Sequence, residues 1–326
     1  MDNTPDTMQA KVASLQKDDR FEGYLLVRSS DSRTGGNGNP YLDLTLSDAS
    51  GDMNAKVWNT SQEAPKVGSV VKVRGNITEF NGRLQFRVEK LRDTTEEDTV
   101  DVSQLVASAP EKPEIMLQTI YGVLDGFKNK NLQKVVRWMV DDIKDKLLFF
   151  PAAQRLHHAE RSGLLHHTTS MLRVAEALLS CYPALDGELL KAGVIVHDLG
   201  KTYEMASDEY GNVSDYTRDG LLLGHLVREA GKVRDAANAV GVPQEDEYLL
   251  LLEHMILSHH GEAEYGSPRK PMFPEAELLH FIDVIDARMN EMEGILARTP
   301  EGVFSERVWS LDRRMYHPLY RKEPDA

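Results

Sequence analysis

The apolar residues of this chain change their period once, and that change limits the fold more than any other feature. Between residues 21 and 92 the runs FEGYLLVRSS, PYLDLTLSD, DMNAKVWN, GSVVKVRGNITEF and RLQFRVEKLR alternate apolar and polar side chains. Alternation with period 2 is the mark of a strand with one face buried. The runs are separated by turn chemistry: Arg33 to Asn39, Ser50-Gly51-Asp52 and Asn81-Gly82. An Asn-Gly pair between two alternating runs is a strong hairpin signal. Five short strands in one such segment predict a small closed barrel. From Glu114 onward the apolar period becomes that of a helix, with helices expected near 114–126, 130–149, 164–181, 187–198, 220–240, 245–259 and 274–296. Pro274 opens the last, as proline does at a first helical position. The polar, acidic stretch 93–113 reads as a linker with one short helical turn. The expected division is therefore a β-barrel over 1–92, the linker, and an all-helical domain over 114–326.

Charge follows the same division. The net charge is −14, yet residues 1–92 carry 13 Lys/Arg against 12 Asp/Glu, and the remainder 25 against 40. An acidic helical half suits cations, so a polyanion would need local basic strips or bound metal. Cys181 is the only cysteine, which excludes a disulfide framework and a cysteine-based zinc site. No apolar run is long enough for a membrane span, and the start MDNTPDTMQAKVASL has no apolar signal core. A cytoplasmic location is expected.

Histidine is the distinctive residue. The chain has 11, and ten lie between His157 and His280. His167 shares a helical stripe with Met171, Val174 and Leu178. His197-Asp198 ends one apolar helix, His259-His260 ends another, His225 follows Leu221-Leu222-Leu223, and Asp283 sits in LLHFIDVIDARM. Burying that many imidazoles and carboxylates without partners would be costly. Convergence on cations, which both groups ligate, resolves it. His166 must point about 100° away from His167 on a helix and reads as structural. His254 reads as a bystander, and Asp286, one helical turn beyond Asp283, as a surface residue with orientation of a ligand as the alternative.

The order His167, His197-Asp198, His225, His259-His260, Asp283, with the box His-Asp-Leu-Gly-Lys at 197–201, resembles the HD superfamily of metal-dependent phosphohydrolases. By that resemblance His167, His197, Asp198 and Asp283 form a four-ligand core, with Asp198 bridging two ions. His225 and His259 match the extra ligands of binuclear members, and His260 is a further contact. Lys201 would stabilise charge on the transferring phosphate. His158, beside His157, would lie near substrate. The implied cofactor is a pair of divalent cations, manganese first, with iron, cobalt, magnesium or nickel as alternatives.

The segment AKVWNTSQEAPKVGSVVKVRGNITEFNGRLQFRVEKLR resembles the anticodon-binding type of OB-fold. An OB-type barrel placed before an HD-type domain is similar to the YhaM-type 3′→5′ exoribonucleases. That likeness implies hydrolysis of terminal phosphodiesters in single-stranded RNA, and in DNA as an extension, to nucleoside monophosphates. Nucleic-acid contacts are expected at Tyr41, Trp58, Phe80 and Phe86, at Arg74 and Arg83, and at Arg269 and Lys270 in the loop after the last metal histidines. The alternative is an HD-type phosphohydrolase of free or cyclic nucleotides.

Overall fold

The protein is described by a computed structural model over residues 9–36, 38–154 and 158–319. The first eight residues, Asn37 and His157 lie outside the described residues. The chain divides into two compact units, Met1–Ala107 and Ser108–Ala326. Among the described residues no helix is long and apolar enough to cross a membrane.

In the first unit all five alternating runs are strands: β1 (Arg20–Thr34), β2 (Pro40–Asp48), β3 (Gly51–Trp58), β4 (Val70–Phe80) and β5 (Arg83–Asp93). They close into a barrel in the order β1-β2-β3-β5-β4. The long β1 pairs with β4 over Arg20–Leu26 and with β2 over Leu26–Thr34, and a register slip between Val27 and Ser29 lets it bend from one to the other. Parallel pairing of β3 with β5 completes the closure. Asn81 and Gly82 form the expected two-residue hairpin turn, both at positive φ (51° and 73°). Near the end of β5, Arg92 makes two hydrogen bonds to Asp98, each 2.7 Å, and the Tyr24 hydroxyl donates to the same carboxylate at 2.9 Å. A short helix, α1 (Val102–Leu105), buries Leu105.

Strand alternation delivers Phe21, Leu25, Leu42, Leu44, Ile77 and Phe86 to the barrel core. Phe86 corrects an expectation. It is 1% exposed and packs edge-on against Phe21, ring centroids 5.7 Å apart, so its face is closed to any base. Its neighbours Val88 and Leu84 share its parity, and only Val88 is buried with it. Leu84, next to the hairpin turn, is exposed. Parity alone therefore left Phe86 ambiguous.

The second unit contains α2 (Pro113–Asp125), α3 (Lys130–Leu147), α4 (Gly163–Cys181), α5 (Gly187–Val196), α6 (Lys201–Glu204), α7 (Arg218–Val240), α8 (Glu247–Ser258) and α9 (Pro274–Leu296). All seven predicted helices are there. Their starts follow capping rules: Asn129, Asp186, Thr217 and Asp246 each accept backbone N–H bonds at the first turn of α3, α5, α7 and α8. The unit is not wholly helical. A hairpin of β6 (Met205–Ser207) and β7 (Val213–Tyr216) sits between α6 and α7. It turns on Asp208, whose Oδ1 accepts from the N–H groups of Tyr210 and Asn212 at 2.9 Å. These elements are too short to show a period, and the Asp turn was their one sequence signal.

Phe86→Ala is expected to destabilise the barrel by about 3–5 kcal/mol, as loss of a buried phenyl does. Phe80→Ala, at a 65% exposed position, should change stability by less than about 0.5 kcal/mol. Urea unfolding of the two variants checks this, and equal midpoints would refute the placement of Phe86.

Candidate metal centre

Two helix ends do most of the positioning. His197 and His259 each occupy the residue that closes a helix, α5 and α8 respectively. There the last carbonyls lack helical partners. His197 Nδ1 donates to Val194 O at 2.9 Å, and His259 Nδ1 donates to Ile256 O at 2.8 Å. A carbonyl can only accept, so each ring carries its proton on Nδ1 and turns a bare Nε2 inward. The remaining rings are anchored by the same logic. His167 on α4 gives Nδ1–H to Asp286 at 2.7 Å, His225 on α7 to Glu204 at 3.0 Å, and His260 to Tyr265 O at 2.8 Å. Gly224 adopts φ +70° and breaks the helical geometry of α7 immediately before His225, which a side chain at that position would resist. A Cβ on Gly200 would stand 2.7 Å from the His225 carbonyl, so only glycine lets the turn after Asp198 come this close to α7.

Asp198 lies at the centre of these rings. Its Oδ2 is 3.4 Å from His197 Nε2 and 3.6 Å from His167 Nε2, and Asp283 Oδ1 is 3.3 Å from the same His167 nitrogen. Its Oδ1 faces the other way, 3.5 Å from His225 Nε2 and 3.7 Å from His259 Nε2. The ligand atoms of His225, His259 and His260 cluster together, as do those of His167, His197 and Asp198. Among the described residues, Nε2 of His197, His225 and His259 and Oδ1 of Asp198 are buried with no hydrogen-bond partner. Lone pairs of nitrogen thus face lone pairs of oxygen with no proton between His197 or His259 and the carboxylate. That arrangement is repulsive alone and favourable around a cation. Ligand bonds of about 2.0–2.1 Å at tetrahedral angles put neighbouring ligand atoms roughly 3.4 Å apart, close to the separations here. The donor set fits a divalent metal.

The electrostatics prepare the same outcome. Burial disfavours charge on Asp198 and Asp283, yet the Lys201 ammonium holds Asp198 well below the carboxylate range, and His167 does so for Asp283. Burial drives His259 well below the imidazole range and lowers His260 too. Both carboxylates are ionised and these imidazoles neutral, the states that ligate. His167 differs: burial opposes its charge, but Asp283 and Asp286 raise it to about 9. Lys201 Nζ lies 2.7 Å from Asp198 Oδ2, so its ammonium is engaged by the central carboxylate.

Four supporting groups were misread or missed in the sequence. Asp286 is buried rather than on the surface, and its Oδ2 takes both His167 Nδ1 (2.7 Å) and His158 Nε2 (2.8 Å). His158, expected beside substrate, is itself 3% exposed and braces that carboxylate. The helical spacing of Asp283 and Asp286 held the signal: one turn apart, the first reaches Nε2 and the second Nδ1 of one ring. Glu204 carried no sequence signal, because its helix is a single turn. Glu229, one turn after His225, is 2% exposed, and burial pushes its carboxyl up to about 8. His166, read as structural, pairs with Glu160 at 2.8 Å.

Within the barrel the expected nucleic-acid residues are not gathered into one place. Tyr41 and Trp58 are cross-strand neighbours with rings stacked 4.6 Å apart, and Trp58 is 46% exposed. Arg74 lines a cleft of about 670 Å³ with Trp58, Lys72 and Lys90. Phe80 and Arg83 flank the β4–β5 turn, at the opposite end of the barrel, since β3 ends at Trp58 and the parallel β5 begins at Arg83. In the second unit Arg269 is exposed, and Lys270 pairs with Glu262 at 2.8 Å.

Comparison with known proteins agrees with this geometry. Residues 22–94 match the OB-fold nucleic acid binding domain, and residues 164–288 match the HD domain. The chain is an OB-type barrel followed by a helical HD domain. Among solved structures, the second OB-fold domain of replication protein A from Methanococcus maripaludis is 19% identical, over 29% of this chain and all of that one, with a TM-score of 0.23. A replication protein A heterotrimer bound to ssDNA is 15% identical, over 29% of this chain and 72% of that one, with a TM-score of 0.21. An OB-type barrel joined to an HD domain fits a metal-dependent hydrolase that acts on nucleic acid.

Asp286→Asn keeps the hydrogen bond to His167 but removes the charge behind it, and should weaken divalent-metal affinity by about 10–100-fold. Competition with a chelating dye measures this, and an unchanged affinity would refute the supporting role. Glu229 gives a second expectation. The unfolded chain ionises this group above about 4.3, whereas the folded chain keeps its proton up to about 8. The folded state therefore binds more protons in that window, and stability falls as pH rises through it, by up to about 1.4 kcal/mol per unit. In Glu229→Gln, urea unfolding at pH 5 and pH 8 should show this dependence reduced.

Proposed function

We propose that this protein is a divalent-metal-dependent 3′→5′ exonuclease of the YhaM type, acting on single-stranded RNA and also accepting single-stranded DNA. The observation that carries the proposal is the division of Asp198, with one oxygen toward His167 and His197 and the other toward His225 and His259. One cation would be held by His167, His197, Asp198 and Asp283, and a second by Asp198, His225, His259 and His260, with manganese the first candidate. A bound pair of this kind supplies Lewis acidity toward phosphoryl oxygens and lowers the pKa of the attacking water.

The protein's own groups do the rest. The Nδ1 anchors hold His197, His259 and His260 in the ligating tautomer, while His167 must first give up its Nε2 proton. Lys201 fixes the rotamer of Asp198 and offsets its charge beside an incoming phosphate. On the barrel, the exposed Tyr41–Trp58 pair offers stacking surface. On the same outward face Arg33 stands opposite Tyr41, and Lys56 is in register with Arg87, with Asp43 paired to both Arg33 and Lys56. Bases stack on aromatic rings without sequence preference while cations follow the backbone. The terminal, stepwise mode of attack follows the likeness of the His-Asp-Leu-Gly-Lys box and the order barrel then helical domain to the YhaM-type enzymes.

Incubation of 5′-labelled single-stranded RNA with the protein and Mn²⁺ should give a ladder shortening from the 3′ end by single nucleotides. Asp198→Ala should abolish the ladder and leave strand binding largely intact. Full activity in a metal-stripped sample held in chelator would overturn the metal mechanism. Turnover of free or cyclic nucleotides with the RNA left uncut would instead favour a nucleotide phosphohydrolase.

A further inference from the structure

Away from the metal ligands, three cations gather around one aromatic ring. Lys232 Nζ lies 5.1 Å, Lys146 Nζ 5.3 Å and the Arg228 guanidinium carbon 5.5 Å from the centroid of Tyr203. Lys232 is also 5.6 Å from the Trp138 ring. A single carboxylate serves the group: Asp142 accepts from Lys232 at 2.9 Å and from the Tyr203 hydroxyl at 2.7 Å. Among the described residues neither Lys146 nor Arg228 has a carboxylate within ion-pair distance, and Lys146 has only a long 3.4 Å contact to the Thr202 carbonyl. This excess of positive charge stands in the half of the chain that carries 25 Lys/Arg against 40 Asp/Glu. An aromatic face attracts each cation by only about 0.5–1 kcal/mol at an exposed site, and the three repel one another. An anion among them would satisfy all three.

The cluster is tied to the metal centre through shared elements. In α6, Tyr203 stands between Lys201 and Glu204, which reach Asp198 and His225. In α7, Arg228 and Lys232 follow His225 by three and seven residues, which places them on the same side of the helix as that ligand. Beside the cations opens a cavity of about 410 Å³, walled by Lys146, Tyr203, Phe149, Phe150, Thr217 and Asp219. It combines apolar faces with hydroxyl groups and one carboxylate, and a base could stack and hydrogen-bond there.

We propose that Lys146, Arg228 and Lys232 form a phosphate subsite that grips the backbone of the single strand whose end is processed at Asp198, with a base entering the adjoining cavity. This rests on the nuclease reading above. The test uses the full chain with Lys146→Ala and Arg228→Ala combined, against Lys146→Arg with Arg228→Lys as the charge-keeping control. Binding of a fluorescein-labelled phosphorothioate oligouridylate is followed by anisotropy across a salt series. Loss of two phosphate contacts should make the slope of log K against log salt shallower by about 1.4, since single strands give about 0.7 per contact. The control should keep the wild-type slope, and turnover of bis(p-nitrophenyl) phosphate should be the same in all three proteins. An unchanged slope and affinity in the alanine variant would overturn the subsite. A wild-type protein that leaves RNA uncut while the slope still falls would support the subsite and overturn only the nuclease reading.

Discussion

The second unit is organised around one buried carboxylate that cannot be satisfied by the protein alone. Asp198 is 3% exposed, and four imidazole nitrogens approach its two oxygens. A charge taken out of water is costly unless it is matched closely. Lys201 matches one oxygen; the other faces the His225 and His259 rings at 3.5 and 3.7 Å and has no hydrogen-bond partner among the described residues. The surrounding core keeps this arrangement from relaxing. Leu190, Val194, Val196, Met255, Ile256 and Ile282 are fully or almost fully buried around the helices that carry the ligands. Apolar packing thus fixes the backbone, and the polar groups inherit a geometry that only a cation completes.

The mode of anchoring explains why the ligands stand where they do along the chain. A histidine within a helix has no free carbonyl to hold its Nδ1. At a helix end the carbonyls of the last turn are open. His197 and His259 use that property directly. His167, inside α4, lacks it and needs a carboxylate from another helix, and Asp286 supplies this. His225, just past the break at Gly224, takes Glu204 from the single-turn α6. Each ligand is therefore paired with a group that fixes its tautomer, and the identity of that group depends on whether a carbonyl is within reach.

This difference also decides what could be read from the sequence. The apolar periods revealed the five strands and seven long helices, because each run spans enough residues to show its repeat. The ligands were visible as polar residues ending or interrupting apolar runs, and their order carried the likeness to HD domains. The supporting carboxylates were not visible. Asp286 looks like any acid on an amphipathic helix until α9 is packed against α4. Glu204 belongs to an element too short for any pattern. Glu229 reads as part of a solvated face, yet α7 turns it inward one turn below His225. Phe86 shows the same limit in the barrel: alternation sorted the two faces, but exposure at the hairpin end let Leu84 and Phe86, two residues apart, meet different surroundings.

Electrostatics set the terms on which a polyanion can meet the second unit. With acids outnumbering bases 40 to 25 beyond residue 92, the average field repels nucleic acid, and salt would weaken that repulsion as well as any attraction. Attraction must then be local. Divalent cations held at Asp198 would invert the sign of the potential at the one place where phosphate is needed, while Lys146, Arg228 and Lys232 do so with fixed charge around Tyr203. A general basic surface would hold any duplex or strand equally. Isolated positive sites in a repulsive field admit phosphates only where they are spaced to match, so on the proposed reading the acidic composition would act as a filter on how a strand can lie.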